Sequence, residues 1–202
     1  MRMFGIDPGL TATGWGVVSL SSGRLTYHDH GVIKSSPRMA DEKRLHQIYT
    51  QLVAAMQKAQ PDAVSIEEIF VVKNPRSALR LGMARGAGLV AAAEHGLEVS
   101  EIAARRVKQV LTGTGAADKD QVAFMVSTLL NIEMKAGDAA DALAIAIAAL
   151  QGGASPLSTS GQAGDISLKS RGRTDYSMDG APAALRDAVA AALAKSDPPA
   201  EQ

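Results

Sequence analysis

Five carboxylates, distributed over three distant segments, carry the chemistry this chain can perform. Asp7 closes the apolar run Met3-Phe4-Gly5-Ile6, Glu67 and Glu68 follow Ala63-Val64-Ser65-Ile66, and Asp138 and Asp141 stand three apart in GDAADALAIAIAAL. Pro8 and Gly9 impose a turn directly after Asp7, which leaves its side chain at the edge of a sheet. Glu67 and Glu68 are neighbours on a strand, so alternation sends them to opposite faces and at most one shares a site with Asp7. The period alone does not choose between them. Asp138 and Asp141 lie on one face at the start of a helix otherwise built of Ala, Leu and Ile, where the positive end of the helix dipole eases their repulsion. Capping duty explains Asp138 but leaves Asp141 awkward beside Ala142, Leu143, Ile145 and Ile147.

Taken singly, each acid has an ordinary explanation as a turn, a frayed strand end or a helix start. Taken together they describe a divalent-metal site. Oxygen ligands without cysteine favour Mg²⁺ or Mn²⁺ over zinc, and the four histidines, at positions 28, 30, 46 and 95, show no ligand spacing. Two such ions per active site, about 4 Å apart, can activate a water and stabilise the leaving oxygen of a phosphodiester. The chemistry implied is hydrolysis of nucleic acid.

Net charge is zero, from 21 basic and 21 acidic residues, so DNA binding must rest on local clustering. Lys73, Arg76 and Arg80 share one helical face, and no acid occurs from Ile69 to Ala93. Asn74, Ser77 and Arg85 lie in the same stretch and join the DNA-binding candidates. Arg105, Arg106 and Lys108 form a second basic cluster. Lys119 sits in the first turn of a helix, where a cation is mildly unfavourable, which hints at a functional reason for it. Phe70 stands just past the Glu67 strand and either closes the core or stacks on a base. Gly82 and Gly86, four apart, permit close contact either with a second copy of the chain or with the sheet.

These residues need elements to hold them. Residues 2 to 34 predict three antiparallel strands, with Ser21-Ser22-Gly23 as a hairpin turn. Leu45, Ile48, Leu52, Val53 and Met56 have helical spacing up to Pro61, and a strand follows from Ala63 to about Phe70. A helix from Pro75 to about His95, a short strand over Glu98 to Ile102, a helix opened by an Asp118/Gln121 capping box, and a helix from Asp138 to Leu150 complete the pattern. The expected fold is α/β: a mixed five-stranded sheet, three antiparallel strands then two parallel, flanked by helices.

With 202 residues, 46% of them hydrophobic and 3% aromatic, the chain supports an aliphatic core without disulfides. The absence of cysteine, of a leader-like segment and of any apolar run near the roughly 18 residues that span a membrane leads to the expectation of a cytoplasmic protein with no membrane contact. From residue 152 to 202 the composition turns to Gly, Ser and Pro, so the domain is expected to occupy 1–151 and to be followed by a disordered tail. Within that tail, 182–195 has Leu185, Val189, Ala192 and Leu193 at the spacing of a short amphipathic helix.

In order and spacing, GIDPGLTATGWGVV, IEEIFVVKNPRSALRLGMARG, AARRVKQVLTGTGAADKDQV and GDAADALAIAIA resemble the RuvC family of bacterial Holliday-junction resolvases, within the RNase H-like nuclease superfamily. The resemblance covers residues 1 to about 150. It implies an RNase H-like fold and a metal site of Asp7, Glu67, Asp138 and Asp141, favouring Glu67 over Glu68. It places Lys108 and Lys119 near the scissile phosphate and Phe70 against bases near the cut. It further implies a homodimer that resolves four-way junction DNA by paired nicks in recombination and repair, working with the RuvA and RuvB branch-migration proteins. Two alternatives stay open: a junction-binding protein without chemistry, and a phosphate-binding ATPase or kinase of the actin-like superfamily, whose first phosphate loop GIDPGLTATG also resembles.

Overall fold

Six strands in the order β3-β2-β1-β4-β5-β6 form one sheet at the centre of the molecule, and the computed structural model describes residues 1–69 and 74–157. β1 (Arg2–Asp7) is apolar on both faces, as suits a central strand. It pairs antiparallel with β2 (Ala12–Ser21), which pairs antiparallel with β3 (Arg24–Lys34). Ser22 and Gly23 between them have φ of 49° and 78°, the positive pair that a tight hairpin requires.

On its other side β1 runs parallel to β4 (Ala63–Glu67), and β4 runs parallel to β5 (Glu98–Ile102). The three antiparallel and two parallel strands match expectation. β6 (Ser155–Pro156) does not: it adds a sixth strand, antiparallel to β5. The sheet thus draws its last strand from beyond Gln151, where composition had suggested that the tail begins. Two paired residues leave no periodicity to read.

Alternation along β1 sorts the core into two layers. Phe4 and Ile6 face α1 (Asp41–Ala59) and α2 (Pro75–Glu94), packing with Ile48, Leu52, Met56, Ala84 and Ala91. Met3 faces the opposite layer of α3 (Ala104–Thr112), α4 (Lys119–Leu130) and α5 (Asp138–Leu150), with Val107, Leu111, Val126, Leu143 and Ile147. By the same alternation Gly5 and Asp7 belong to the α5 face. Asn74 caps α2 by accepting from the Arg76 and Ser77 amides, with Pro75 at the first helical position. The Asp118/Gln121 capping box opens α4 as its spacing predicts. α3 has no side-chain cap and buries only Val107 and Leu111, so it is unannounced in the sequence.

Candidate active site

Asp7 and Glu67 terminate adjacent parallel strands. Ile6 is in register with Ile66, so the two acids emerge side by side at the carboxyl ends of β1 and β4. The remaining acids arrive on α5, and glycine admits them. A Cβ added at Gly14 would stand 1.9 Å from the Asp138 carbonyl oxygen, and one at Gly5 would stand 2.1 Å from that of Ala142. Only a bare backbone lets the helix lie so near the sheet. Gly14 is the register partner of Asp7, so the start of α5 rests over the residue opposite the first acid.

Asp7, Glu67, Lys108, Lys119 and Asp141 line a cleft of about 230 Å³ whose remaining wall is apolar, including Val107 and Val122. Lys119 Nζ donates to Asp141 Oδ2 at 2.9 Å. That contact, more than any other, raises the lysine pKa. Burial, followed by the charges of Glu67 and Asp141, pushes the Asp7 carboxyl up to about 8, and Asp138 adds to the rise. Burial also raises Glu67, while its hydrogen bond with Asp7 works in the other direction. Asp7 therefore retains a proton near neutral pH and shares it with Glu67. Among the described residues, no three His, Asp or Glu side chains converge to grip an ion as they stand. The arrangement is a carboxylate cluster whose negative charge one proton and one ammonium offset only in part.

A family profile described as crossover junction endodeoxyribonuclease RuvC matches residues 3–149. The chain belongs to the RuvC family. A RuvC protein of Hyphomonas neptunium is 49% identical over 151 residues, 74% of this chain and 90% of the relative. One from Geobacter sulfurreducens is 45% identical over 148 residues, 73% of this chain and 90% of the relative. Thermus thermophilus RuvC, solved in complex with a Holliday junction substrate, superposes with a TM-score of 0.71 at 37% identity, covering 78% of this chain and 99% of that one.

The other residues singled out from sequence fall in three places. Glu68 lies outside the RuvC-like cleft, its amide donating to the Ile102 carbonyl at 2.9 Å. Arg76, Ser77 and Arg80 are exposed on the opening turns of α2, while Asn74 is committed to capping that helix. Arg105 is exposed on α3, its side chain lying along Gly115. Arg85 departs from expectation. Its Nη1 donates to the Glu67 carbonyl oxygen and its Nη2 to Glu101 Oε2, both at 2.7 Å, so its guanidinium bridges the end of β4 to β5. Arg85 joined the DNA-binding candidates because it lies in the same acid-free stretch; only the fold shows that β4 and β5 meet it. Phe70 and Lys73 lie outside the described residues, as do 158–202 with the proposed amphipathic segment 182–195.

Sequence reasoning missed Glu101 and the two glycines beneath α5. Of the two, Gly14 left a trace, since it alternates along β2 with Gly16, where an added Cβ would meet Leu143 of the same helix.

Proposed function

We propose that this RuvC-family chain is an endodeoxyribonuclease that resolves four-way junction DNA as a homodimer, each protomer nicking one of two symmetry-related strands. The observation that carries the reading is the convergence of Asp7, Glu67, Lys119 and Asp141 on one cleft, from segments far apart in the chain. The donor set suits a hard divalent cation: it offers oxygen alone, and burial together with the charges of Glu67 and Asp141 raises the Asp7 pKa, a cost that a bound cation would relieve. Asp7, Glu67, Asp138 and Asp141 would hold two Mg²⁺ or Mn²⁺ ions, which when bound supply Lewis acidity for hydrolysis of a phosphodiester. The chain's own part is to set the acids on rigid elements and keep one wall apolar. Lys119 and Lys108 place ammonium charge where negative charge develops on the phosphate.

The outer face of α2 supports the dimer. Leu79 and Val90 are 65% and 58% exposed. Val90 joins Met83 and Gly86 in an apolar groove bordered by Leu45 and Tyr49 of α1, and Leu79 lies one turn before Met83 on α2. Among the described residues a Cβ at Gly82 or Gly86 would meet nothing within 4 Å, so packing on the sheet does not explain these glycines, whereas a second copy would. Such a dimer sets two clefts against the two-fold symmetry of a junction. Assembly with RuvA and RuvB, and action in the cytoplasm, complete the proposal; no described helix is long and apolar enough to cross a membrane.

The test is cleavage of an end-labelled four-way junction in Mg²⁺ or Mn²⁺ by the protein and its Asp7→Asn form. Paired nicks from the former and junction binding without cutting from the latter are expected. Equal cutting by both would remove Asp7 from the site.

A further inference from the structure

A second basic cavity lies beside the turn that follows Asp7, outside the carboxylate cleft. Leu10 and Thr11 of the turn, Arg44 of α1, and Ser77, Arg80 and Leu81 of α2 enclose about 350 Å³. Arg44 is only 3% exposed, a degree of burial that arginine tolerates when its donors are satisfied. Its Nε donates to Ser35 Oγ at 2.9 Å, its Nη1 to Asp41 Oδ1 at 3.2 Å and its Nη2 to Thr11 Oγ1 at 3.1 Å. Ser35 Oγ in turn donates to the Leu10 carbonyl, so the guanidinium is clamped to the turn. A guanidinium has five N–H donors, and these three contacts leave two uncommitted. Across the cavity, Arg80 has no acidic partner among the described residues.

We propose that this cavity is a subsite for a DNA backbone phosphate, distinct from the one that is cut. Arg80 and Ser77 make the direct contacts, and Arg44 is the buried cation in its wall. Two guanidiniums from different helices, with hydroxyls between them, match the fork geometry that phosphate oxygens accept. The opening amides of α2 are taken up by Asn74, so the helix contributes only the positive end of its dipole. Thr11 follows Asp7 by four residues, an extended reach of at most about 14 Å. With one phosphate per ~3.4 Å of rise along a strand, and several ångströms of side-chain reach at each end, the bound phosphate lies within roughly one helical turn, about ten nucleotides, of the scissile one. The inference rests on the junction-nuclease reading and adds a place where the strand is gripped.

The experiment uses the full chain carrying Asp7→Asn, so that junctions are bound and not cut. A labelled junction receives one neutral methylphosphonate linkage at a time, walked along the strands near the crossover. Binding is compared with and without Arg80→Gln or Ser77→Ala. Arg80 and Ser77 are exposed, so neither substitution threatens the fold. A single linkage should weaken binding about tenfold, as loss of one charge-assisted contact does, and Arg80→Gln should add little at that linkage alone. The salt slope should fall by roughly 0.7–0.9 in Arg80→Gln. If the Arg80→Gln loss adds in full at every linkage, the subsite is wrong. Inorganic phosphate, set against chloride at equal ionic strength, is the arm for a free anion: specific competition without linkage coupling would overturn the assignment to DNA. Failure of the chain with Asp7 intact to cut, and of the Asp7→Asn form to bind, would sink the nuclease reading itself; retained cutting with purely additive losses sinks only the subsite.

Discussion

Asp7→Asn should stabilise the metal-free protein, by an amount set by pH. The ordinary carboxyl value is 3.8 and the folded protein raises Asp7 to about 8. Below the lower value both folded and unfolded chains are protonated, and the site costs nothing. Between the two, the unfolded chain releases its proton while the folded chain keeps it, so stability falls by about 1.4 kcal/mol per pH unit. Above about 8 both states are ionised and the deficit stays constant. The interval is 8 − 3.8 = 4.2 units, a ceiling of about 6 kcal/mol. Rearrangement among Glu67, Asp138 and Asp141, and water entering the cleft, reduce this to ~3 kcal/mol. Asparagine matches the shape, keeps a hydrogen bond to Glu67 and carries no charge. Urea denaturation in a chelator should therefore give a variant more stable by ~3 kcal/mol near pH 9, with less than about 1 kcal/mol of that remaining near pH 5. Equal stability at the higher pH, or a gain that does not grow with pH, would refute the account of a charge-crowded site.

The same proton governs ion binding: since Asp7 must lose it, Mg²⁺ affinity measured by calorimetry should rise by nearly tenfold per pH unit up to about 8 and then level off. An affinity unchanged across that range contradicts the proton assignment. Arg85→Gln, which frees the Glu67 carbonyl and Glu101, should lower the cutting rate tenfold or more while junction affinity stays within about twofold, with Arg85→Lys partly restoring the rate. A matched loss of affinity would return Arg85 to the DNA contacts. Val90→Glu places a charge on the exposed apolar face of α2 and should give monomers in sedimentation that nick junctions without pairing the nicks; an undisturbed dimer would move the interface elsewhere. Gly14→Ala should destabilise by about 1–3 kcal/mol and weaken metal binding, because the new methyl meets the Asp138 carbonyl; wild-type stability would mean that α5 does not lie that close.

What could be read in advance follows from how local each cause is. The β2–β3 hairpin, the α4 capping box and the apolar β1 are specified within a few residues, and all three formed where the pattern puts them. α1 begins at Asp41, ahead of its first apolar position at Leu45, because Arg44 ties its opening turn to Asp41 within the turn and to Ser35 and Thr11 outside it. α3 and β6 depend on neighbours distant in sequence and carry little periodicity of their own. In the site, residue types announced the acids, and strand alternation narrowed Glu67 and Glu68 to a pair of options. The family resemblance favoured Glu67, and the register of β4 on β1 supplies the physical reason by setting it beside Asp7. Arg85 was misjudged because its partners are a backbone carbonyl 18 residues away and a carboxylate 16 residues away.

α5 fills the core and also delivers the last of the carboxylates, which ties the nuclease to its own synthesis. A ribosome completes β1, β4 and both helices of the opposite layer before residue 138 exists, and until α5 docks on Gly5 and Gly14 one layer of the core is open. Domains fold as units as the chain emerges, so a nascent or truncated copy ending before α5 has two acids and no cleft. The order in which the residues are joined thus withholds the complete site until the last core helix is made.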